Sequence, residues 1–169
     1  MATTAKKPAA TTAAAKTDAT LLLARDHTAV SKLFKQYEKL SGSGAEASDR
    51  QAMAEQICMM LTVHATIEEE IFYPAAREAD VDSDLLDEAE VEHASAKDLI
   101  AQIRAMTPDE DLYDAKVKVL GEYIDHHAQE EENEMFPKCR KAKMDLAGLA
   151  QQLAERKAEL VSEASEEIV

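Results

Sequence analysis

Two stretches of the chain, residues 64–74 and 127–137, repeat one pattern of side chains that can bind a metal. They read HATIEEEIFYP and HAQEEENEMFP, and five of the eleven positions are identical. Each has a histidine followed four residues later by a glutamate, His64 with Glu68 and His127 with Glu131. On a helix this spacing places an imidazole and a carboxylate on one face, one turn apart, which is a chelating pair. The repeat therefore predicts two metals, or one site assembled from two halves.

A second repeat accompanies the first. Asp26-His27 and Glu92-His93 are each followed by a leucine and a glutamine at the same offsets. The histidines of this repeat are 66 residues apart, and those of the His-x-x-x-Glu repeat are 63 residues apart. The chain thus reads as two copies of one unit, in which a helix with a single histidine precedes a helix with the chelating pair.

Helices of about 20–30 residues are needed to position these groups, and the apolar spacing predicts them. Asp18 is a suitable N-cap, Pro74 is expected to end the second helix, and Thr107-Pro108-Asp109-Glu110 is a typical helix start. The predicted helices cover residues 18–41, 48–73, 84–106 and 107–136, followed by an amphipathic stretch over 138–162. The fold class expected is all-α, an antiparallel up-down four-helix bundle with an extra C-terminal helix.

Each of the four bundle helices carries one of these histidines on its apolar stripe. About nine residues separate the histidine from the predicted helix start in helices one and three, and about 16 and 19 in helices two and four. Because alternate helices run in opposite directions, these offsets place all four imidazoles at a similar depth. The predicted domains are an Ala/Thr/Lys/Pro tail over residues 1–17, the bundle over 18–140, and a C-terminal helix and tail over 141–169.

The chemistry of the cluster favours metal binding. Glu68 and Glu131 lie on core stripes with no basic partner on the same stripe, and burying an unpaired carboxylate costs several kcal/mol unless a cation compensates it. Four imidazoles and two carboxylates exceed the four ligands of a structural zinc, and they suit two iron ions, with manganese or zinc as substitutes. The repeat assigns one histidine pair to each metal, with both glutamates bridging. The predicted ligands are His27 and His64 for one metal, His93 and His127 for the other, and the bridging Glu68 and Glu131.

Composition limits the other functions. The net charge is −15, which opposes binding to nucleic-acid phosphates or to an anionic membrane surface. No apolar run approaches the ~20 residues that span a bilayer. Cys58 and Cys139 do not form a Cys-x-x-Cys motif, and two cysteines in a chain of this size favour a reducing, cytoplasmic location.

Over about residues 18–140 the chain resembles the hemerythrin-like family, the HHE cation-binding domain. The residues that carry the resemblance are His27, His93 and the two His-x-x-x-Glu-Glu segments with their prolines. The resemblance implies a four-helix bundle with a non-haem di-iron centre. It also implies a role among those of the family, whose members carry or sense oxygen, respond to nitric oxide, repair iron–sulfur clusters or break down peroxide.

The chain departs from the oxygen carriers of this family at two positions. The carriers have a second histidine four residues after that of the third helix, where this chain has Lys97. Their last carboxylate is an aspartate five residues after the histidine, where this chain has Glu131 four residues on. The chain resembles instead the members with four histidines and two glutamates that are linked to nitrosative or oxidative stress.

Five further residues have two interpretations each. Lys97 either approaches an open metal position or extends to solvent. Tyr123 either donates to a metal-bound ligand or is a boundary residue. His126 either supports a ligand or serves as an alternative ligand, or it faces a neighbouring helix or solvent. Glu69 and Glu132 either orient a ligand histidine or form surface ion pairs.

The sequence therefore predicts a non-haem di-iron protein that binds or reacts with oxygen, nitric oxide or peroxide. It is expected to act in stress response or in iron or oxygen sensing. No catalytic residue is assigned from the sequence. The alternatives are a ferritin-like di-iron oxidase and a metal-stabilised scaffold or sensor without catalysis. The expected partners are a small diatomic or peroxide ligand, and a second copy or another protein at the C-terminal helix.

Overall fold

Helices form nearly all of the part of the chain that the computed structural model describes, residues 17–166, and these residues include no strand. Two five-residue π-helical turns, Glu68–Phe72 and Glu131–Met135, connect α2 to α3 and α5 to α6 without a break. The helices are α1 Ala19–Gly42, α2 Ala47–Ile67, α3 Tyr73–Glu78, α4 Ser83–Arg104, α5 Tyr113–Glu130, α6 Phe136–Lys141 and α7 Leu146–Glu166. The all-helical class is confirmed. Most of the predicted tail, residues 1–16, lies outside the described residues.

The first helix follows its local signals. The Asp18 side chain accepts a hydrogen bond from the backbone N–H of Leu21 at 3.0 Å, as an N-cap does. The helix ends at Gly42, and Gly44 has a φ of +70°, which a glycine adopts at little cost. α1 packs against α2 and α5, and α4 packs against α5 and α2.

Pro74 does not end the second helix, and this part of the prediction is wrong. A proline clashes with the carbonyl four residues earlier in a regular α-helix. Here the turn before it widens, and the N–H of Tyr73 donates to the carbonyl of Glu68, five residues back. The same geometry recurs before Pro137, where the N–H of Phe136 donates to the carbonyl of Glu131. Each π-helical turn therefore begins at a predicted bridging glutamate and accommodates the proline that follows.

The predicted start of the fourth helix at Thr107 is also wrong. The backbone N–H of Thr107 does donate to the Glu110 carboxylate at 2.7 Å, as in a capping box. The helix does not continue, because Leu112 adopts a left-handed φ of +72° and α5 begins at Tyr113. Arg50 of α2 donates to the carbonyl of Pro108 at 2.9 Å and so ties this connection to the bundle.

The C-terminal stretch is divided, not continuous as predicted. α6 ends at Lys141, Lys143 has a φ of +58°, and α7 starts three residues later. α7 packs against α1 and α2 and buries Leu149 and Leu153. Arg156 of α7 binds Glu70 in the first π-helical turn at 2.8 Å.

Two apolar clusters lie on either side of a polar layer. The first apolar cluster includes Leu23, Ile67, Ala89 and Met135, and the second includes Val30, Leu61, Ala96 and Leu120. α1, α2 and α4 each contribute to both clusters, as does α5 together with the π-helical turn that continues it, and each places its histidine between the two clusters. This arrangement explains why the imidazoles reach the same depth. No helix in residues 17–166 is long and apolar enough to span a membrane.

Candidate metal centre

Six side chains meet in this polar layer, and they are the six that the sequence analysis selected. All are buried, with at most 8% of any residue exposed: His27, His64, Glu68, His93, His127 and Glu131. Their donor atoms form two groups, each with all donors within 4.8 Å of one another. The first group contains His27, His64, Glu68 and Glu131, and the second contains Glu68, His93 and His127. The structure therefore brings the predicted ligands together, although their binding of metal stays a prediction.

In the first group the two imidazoles face each other. The Nε2 atoms of His27 and His64 are 3.1 Å apart. Glu131 Oε2 lies 3.2 Å from His27 Nε2, and Glu68 Oε1 lies 3.1 Å from His64 Nε2. Each imidazole therefore meets one carboxylate oxygen.

The second group has matching geometry. The Nε2 atoms of His93 and His127 are also 3.1 Å apart. Glu68 Oε2 lies 3.2 Å from His93 Nε2, and Glu131 Oε2 lies 3.5 Å from His127 Nε2. Glu68 directs one oxygen to each group, and Glu131 Oε2 lies near an imidazole of each. Both glutamates are thus placed to bridge two cations.

Four outer carboxylates orient the four imidazoles. The Nδ1 of His27 lies 2.8 Å from Glu132 and that of His93 lies 2.9 Å from Glu69. These two acids follow the bridging glutamates in sequence, and the structure selects the orienting role for both.

The other two imidazoles have outer carboxylates that the sequence analysis gave no role. His64 Nδ1 lies 3.3 Å from Asp26, and His127 Nδ1 lies 2.6 Å from Glu92. The sequence does contain a signal for these two acids, because each immediately precedes the ligand histidine on its own helix. Asp26 is also bound by Lys157 of α7.

These outer contacts determine where the imidazole protons lie. A carboxylate accepts and does not donate, so each Nδ1 carries the hydrogen and each Nε2 turns a lone pair inward. Two lone pairs facing each other at 3.1 Å repel unless a proton or a metal cation lies between them. The outer carboxylates therefore prepare the four Nε2 atoms to accept a cation.

The charges of the surrounding side chains also favour a cation at this site. Burial lowers the pKa of His64, but the charge of Glu68 and a hydrogen bond to Asp26 outweigh it and raise that pKa to about 10. Burial and neighbouring carboxylates act in the same opposing way on His127, and its pKa rises to about 9. Burial raises the pKa of Glu68, yet the adjacent imidazoles hold it well below its ordinary value. The site holds positive charge strongly, as protons or as metal.

A buried tyrosine that the sequence analysis missed also reaches the centre. The Tyr73 hydroxyl donates to Glu131 Oε1 at 2.7 Å and lies 3.2 Å from His93 Nε2. Burial and the charges of Glu68 and Glu131 raise its pKa well above the ordinary value. In the sequence, the only indication of this role is that Tyr73 immediately precedes the proline of the repeat. The equivalent residue of the second copy is Phe136.

The remaining candidates lie outside the centre. Lys97 donates to Glu69 at 2.6 Å and so reaches the site through that carboxylate. Tyr123 is 51% exposed, as a boundary residue is. His126 is exposed at the surface, with its Nε2 3.3 Å from Glu130 and 3.6 Å from Glu92. His126, Glu130 and Glu92 form a further surface group of metal-binding type, which shares Glu92 with the outer carboxylates of the centre.

A small cavity of about 30 Å³ adjoins the four histidines. Its other walls are mainly apolar, with Val30, Leu61, Ala96, Ile100 and Ile124 among them. This volume exceeds the ~10–15 Å³ that a cavity needs to hold one water molecule, and it is far below the ~300–1,000 Å³ of a pocket for an organic ligand. The cavity therefore suits a ligand of two or three atoms.

A helical bundle with a buried cluster of histidines and glutamates is the architecture of a cation-binding bundle protein. The family model described as the hemerythrin HHE cation binding domain matches residues 18–139. The chain belongs to this family, as the resemblance predicted.

Two known proteins are similar to the chain. The crystal structure of a hemerythrin HHE cation binding domain-containing protein from Mycobacterium kansasii matches with a TM-score of 0.74 and 24% identity, over 90% of this chain and 92% of that one. That likeness shows the fold. A DNA nickase from Nostoc sp. is 30% identical over 118 residues, which are 68% of this chain and 31% of the nickase. The chain thus spans about a third of that relative's length.

Proposed function

We propose that the chain binds two iron ions in this cluster and uses them to bind or react with oxygen, nitric oxide or peroxide. The observation that carries the proposal is the pairing of the six donors into two groups that share Glu68. Nitrogen and oxygen donors with positions left for an external ligand suit iron best and manganese next. His27 and His64 would hold one ion and His93 and His127 the other, with Glu68 and Glu131 bridging.

Two buried carboxylate oxygens without hydrogen-bond donors also indicate a site for cations. Glu68 Oε1 and Glu131 Oε2 are buried and accept no hydrogen bond from any described residue. A buried carboxylate oxygen without a donor is costly, and a metal bond removes that cost. Both of these atoms lie on the bridging glutamates.

When bound, the iron pair supplies open coordination positions and a change of oxidation state. The side chains supply the rest. The outer carboxylates hold each imidazole in the tautomer that presents Nε2, and the apolar cavity walls limit the water near the histidines. The cavity favours a small, uncharged ligand over an organic substrate. These features support reaction with a diatomic gas or peroxide, in stress response or sensing.

A ferritin-like oxidase has less support. That class uses Glu-x-x-His on two helices. The one match here is Glu90 with His93, and Glu90 binds Arg77 at 2.8 Å at the surface instead of facing the centre. DNA nicking is not proposed either, because a net charge of −15 opposes contact with a phosphate backbone.

The antiparallel up-down order of the bundle follows from the histidine offsets. A cytoplasmic location follows from the cysteine usage, and the two thiols are buried and unpaired by any disulfide among the described residues. A second copy or another protein would bind the outer face of α7, since its inner face packs on α1 and α2.

Spectroscopy of the iron-loaded protein tests the reaction. Protein purified without oxygen is loaded with ferrous iron and mixed separately with oxygen, nitric oxide and peroxide, while its visible absorption is recorded. A change with at least one of them that is absent from the His93→Ala variant supports the proposal. The matched control is His126→Ala, which removes an exposed imidazole and should behave as wild type. A bound iron pair that responds to none of the three would favour the scaffold alternative.

A further inference from the structure

The phenolic oxygen of Tyr73 lies among the donors of the second metal group. It is 2.7 Å from Glu131 Oε1 and 3.4 Å from Glu68 Oε2. It is also 3.2 Å from His93 Nε2 and 3.5 Å from His127 Nε2. The residue is 1% exposed, so this oxygen has no access to bulk water. Four of the six proposed metal ligands therefore surround one buried hydroxyl.

These contacts cannot all be hydrogen bonds. A phenol has one hydrogen to donate, and here it goes to Glu131. The outer carboxylates Glu69 and Glu92 turn the Nε2 lone pairs of the two imidazoles toward the same region. The phenolic oxygen thus meets more acceptors than its single hydrogen can satisfy. A cation bound by the imidazoles and by the phenolic oxygen resolves this conflict.

The arrangement occurs in one half of the repeat only. The position that matches Tyr73 in the second copy is Phe136, whose buried ring stacks on His27 at a centroid distance of 6.1 Å. Tyr73 is also absent from the walls of the small cavity beside the histidines. The hydroxyl therefore belongs to one metal position and does not occupy the space left for an external ligand.

We propose that Tyr73 is a metal ligand, which binds the ion held by His93 and His127 through its phenolate oxygen. As the metal–oxygen bond forms, the phenol O–H bond breaks and its proton passes first to Glu131, the acceptor of its hydrogen bond, and from there to the buffer as the cation enters; no electron is transferred. The second ion then has one more protein ligand than the first, so an external molecule binds at the ion of His27 and His64. This inference rests on the proposed two-metal site.

The Tyr73→Phe variant tests it. Phenylalanine occupies the equivalent position of the second repeat, so the variant is expected to fold, which circular dichroism checks. The matched control is Tyr113→Phe, because Tyr113 is equally buried but lies in the second apolar cluster. Ferric wild type and Tyr113→Phe should show a visible tyrosinate-to-iron charge-transfer band with enhanced phenolate vibrations in resonance Raman spectra. Tyr73→Phe should lose both signals.

A second measurement uses zinc, which is redox-inert. Zinc binding to wild type should give the ultraviolet difference spectrum of an ionised tyrosine, and Tyr73→Phe should give none. The variant should also release one of its two ions to a chelator more than about tenfold faster than wild type.

The outcomes separate this inference from the proposed function. Two bound irons with identical visible spectra in wild type and Tyr73→Phe would overturn the ligand assignment and leave the di-iron site intact. A wild type that takes up no metal would contradict the proposed function itself.

Discussion

Replacing Glu92 with glutamine tests whether the outer carboxylates prepare the histidines for metal. Glu92 accepts a hydrogen bond from His127 Nδ1 at 2.6 Å, and its side chain is 23% exposed. Glutamine has nearly the same shape and retains an oxygen that can accept this bond, but it carries no charge. The substitution therefore removes the charge from the contact and leaves its geometry.

The magnitude follows from the strength of the contact. A hydrogen bond to a charged group contributes about 1.5–3 kcal/mol, compared with about 0.5–1.5 kcal/mol for a neutral one. The difference, about 1–1.5 kcal/mol, corresponds to roughly tenfold weaker binding of the metal held by His93 and His127. Glu92→Ala removes the bond entirely and should approach the roughly hundredfold loss known for outer partners of metal ligands.

Competition with a coloured chelator measures both affinities without oxygen. The matched control is Glu122→Gln, which removes the same charge from an exposed position of the helix that carries His127 and bonds neither Glu92 nor any of the four buried histidines. It should bind both metals as wild type does. Equal losses in Glu92→Gln and Glu122→Gln would attribute the effect to surface charge in general and refute the orienting role.

Three further predictions concern stability and reactivity. In chelator-treated protein, the raised pKa values of His64 (about 10) and His127 (about 9) stabilise the fold fully below pH 6.5. The free energy of unfolding in urea should fall between pH 6.5 and 9 by up to about 1.4 kcal/mol per pH unit for each histidine, and a rise would contradict this. Burial raises the thiol pKa of Cys58 and Cys139 to about 11, so a thiol reagent at pH 8 should label them only after unfolding; rapid labelling of folded protein would show that they are accessible. Leu120→Ala should cost about 2–5 kcal/mol of stability, because Leu120 is fully buried in the second apolar cluster; a loss under 1 kcal/mol would mean that the core there is loosely packed.

The six central residues could be predicted because two periodicities coincide. The chelating spacing of His64 and Glu68 continues the apolar stripe of its helix, and the repeat places His27 and His93 in matching phase. Helical rise then determines a common depth. Local spacing and symmetry were therefore sufficient for the donors themselves.

The features that the sequence did not reveal depend on tertiary packing. A proline is read locally as a helix end, but a π-helical turn lets the chain continue past Pro74, which brings Tyr73 into the centre. Thr107 has its capping contact, yet α5 begins only at Tyr113, after Leu112 in a left-handed conformation. Asp26 and Glu92 each precede a ligand histidine in the sequence, but only the packing of two helices shows that they orient the histidine of the neighbouring helix.

The central claim is that the cluster holds two metals, and anomalous X-ray scattering at the iron edge from crystals of the iron-loaded protein tests it most directly. Two peaks are expected, one beside His27 and His64 and one beside His93 and His127, with Glu68 between them. A single peak in the cluster, or iron found only at the exposed group that contains His126, would contradict it.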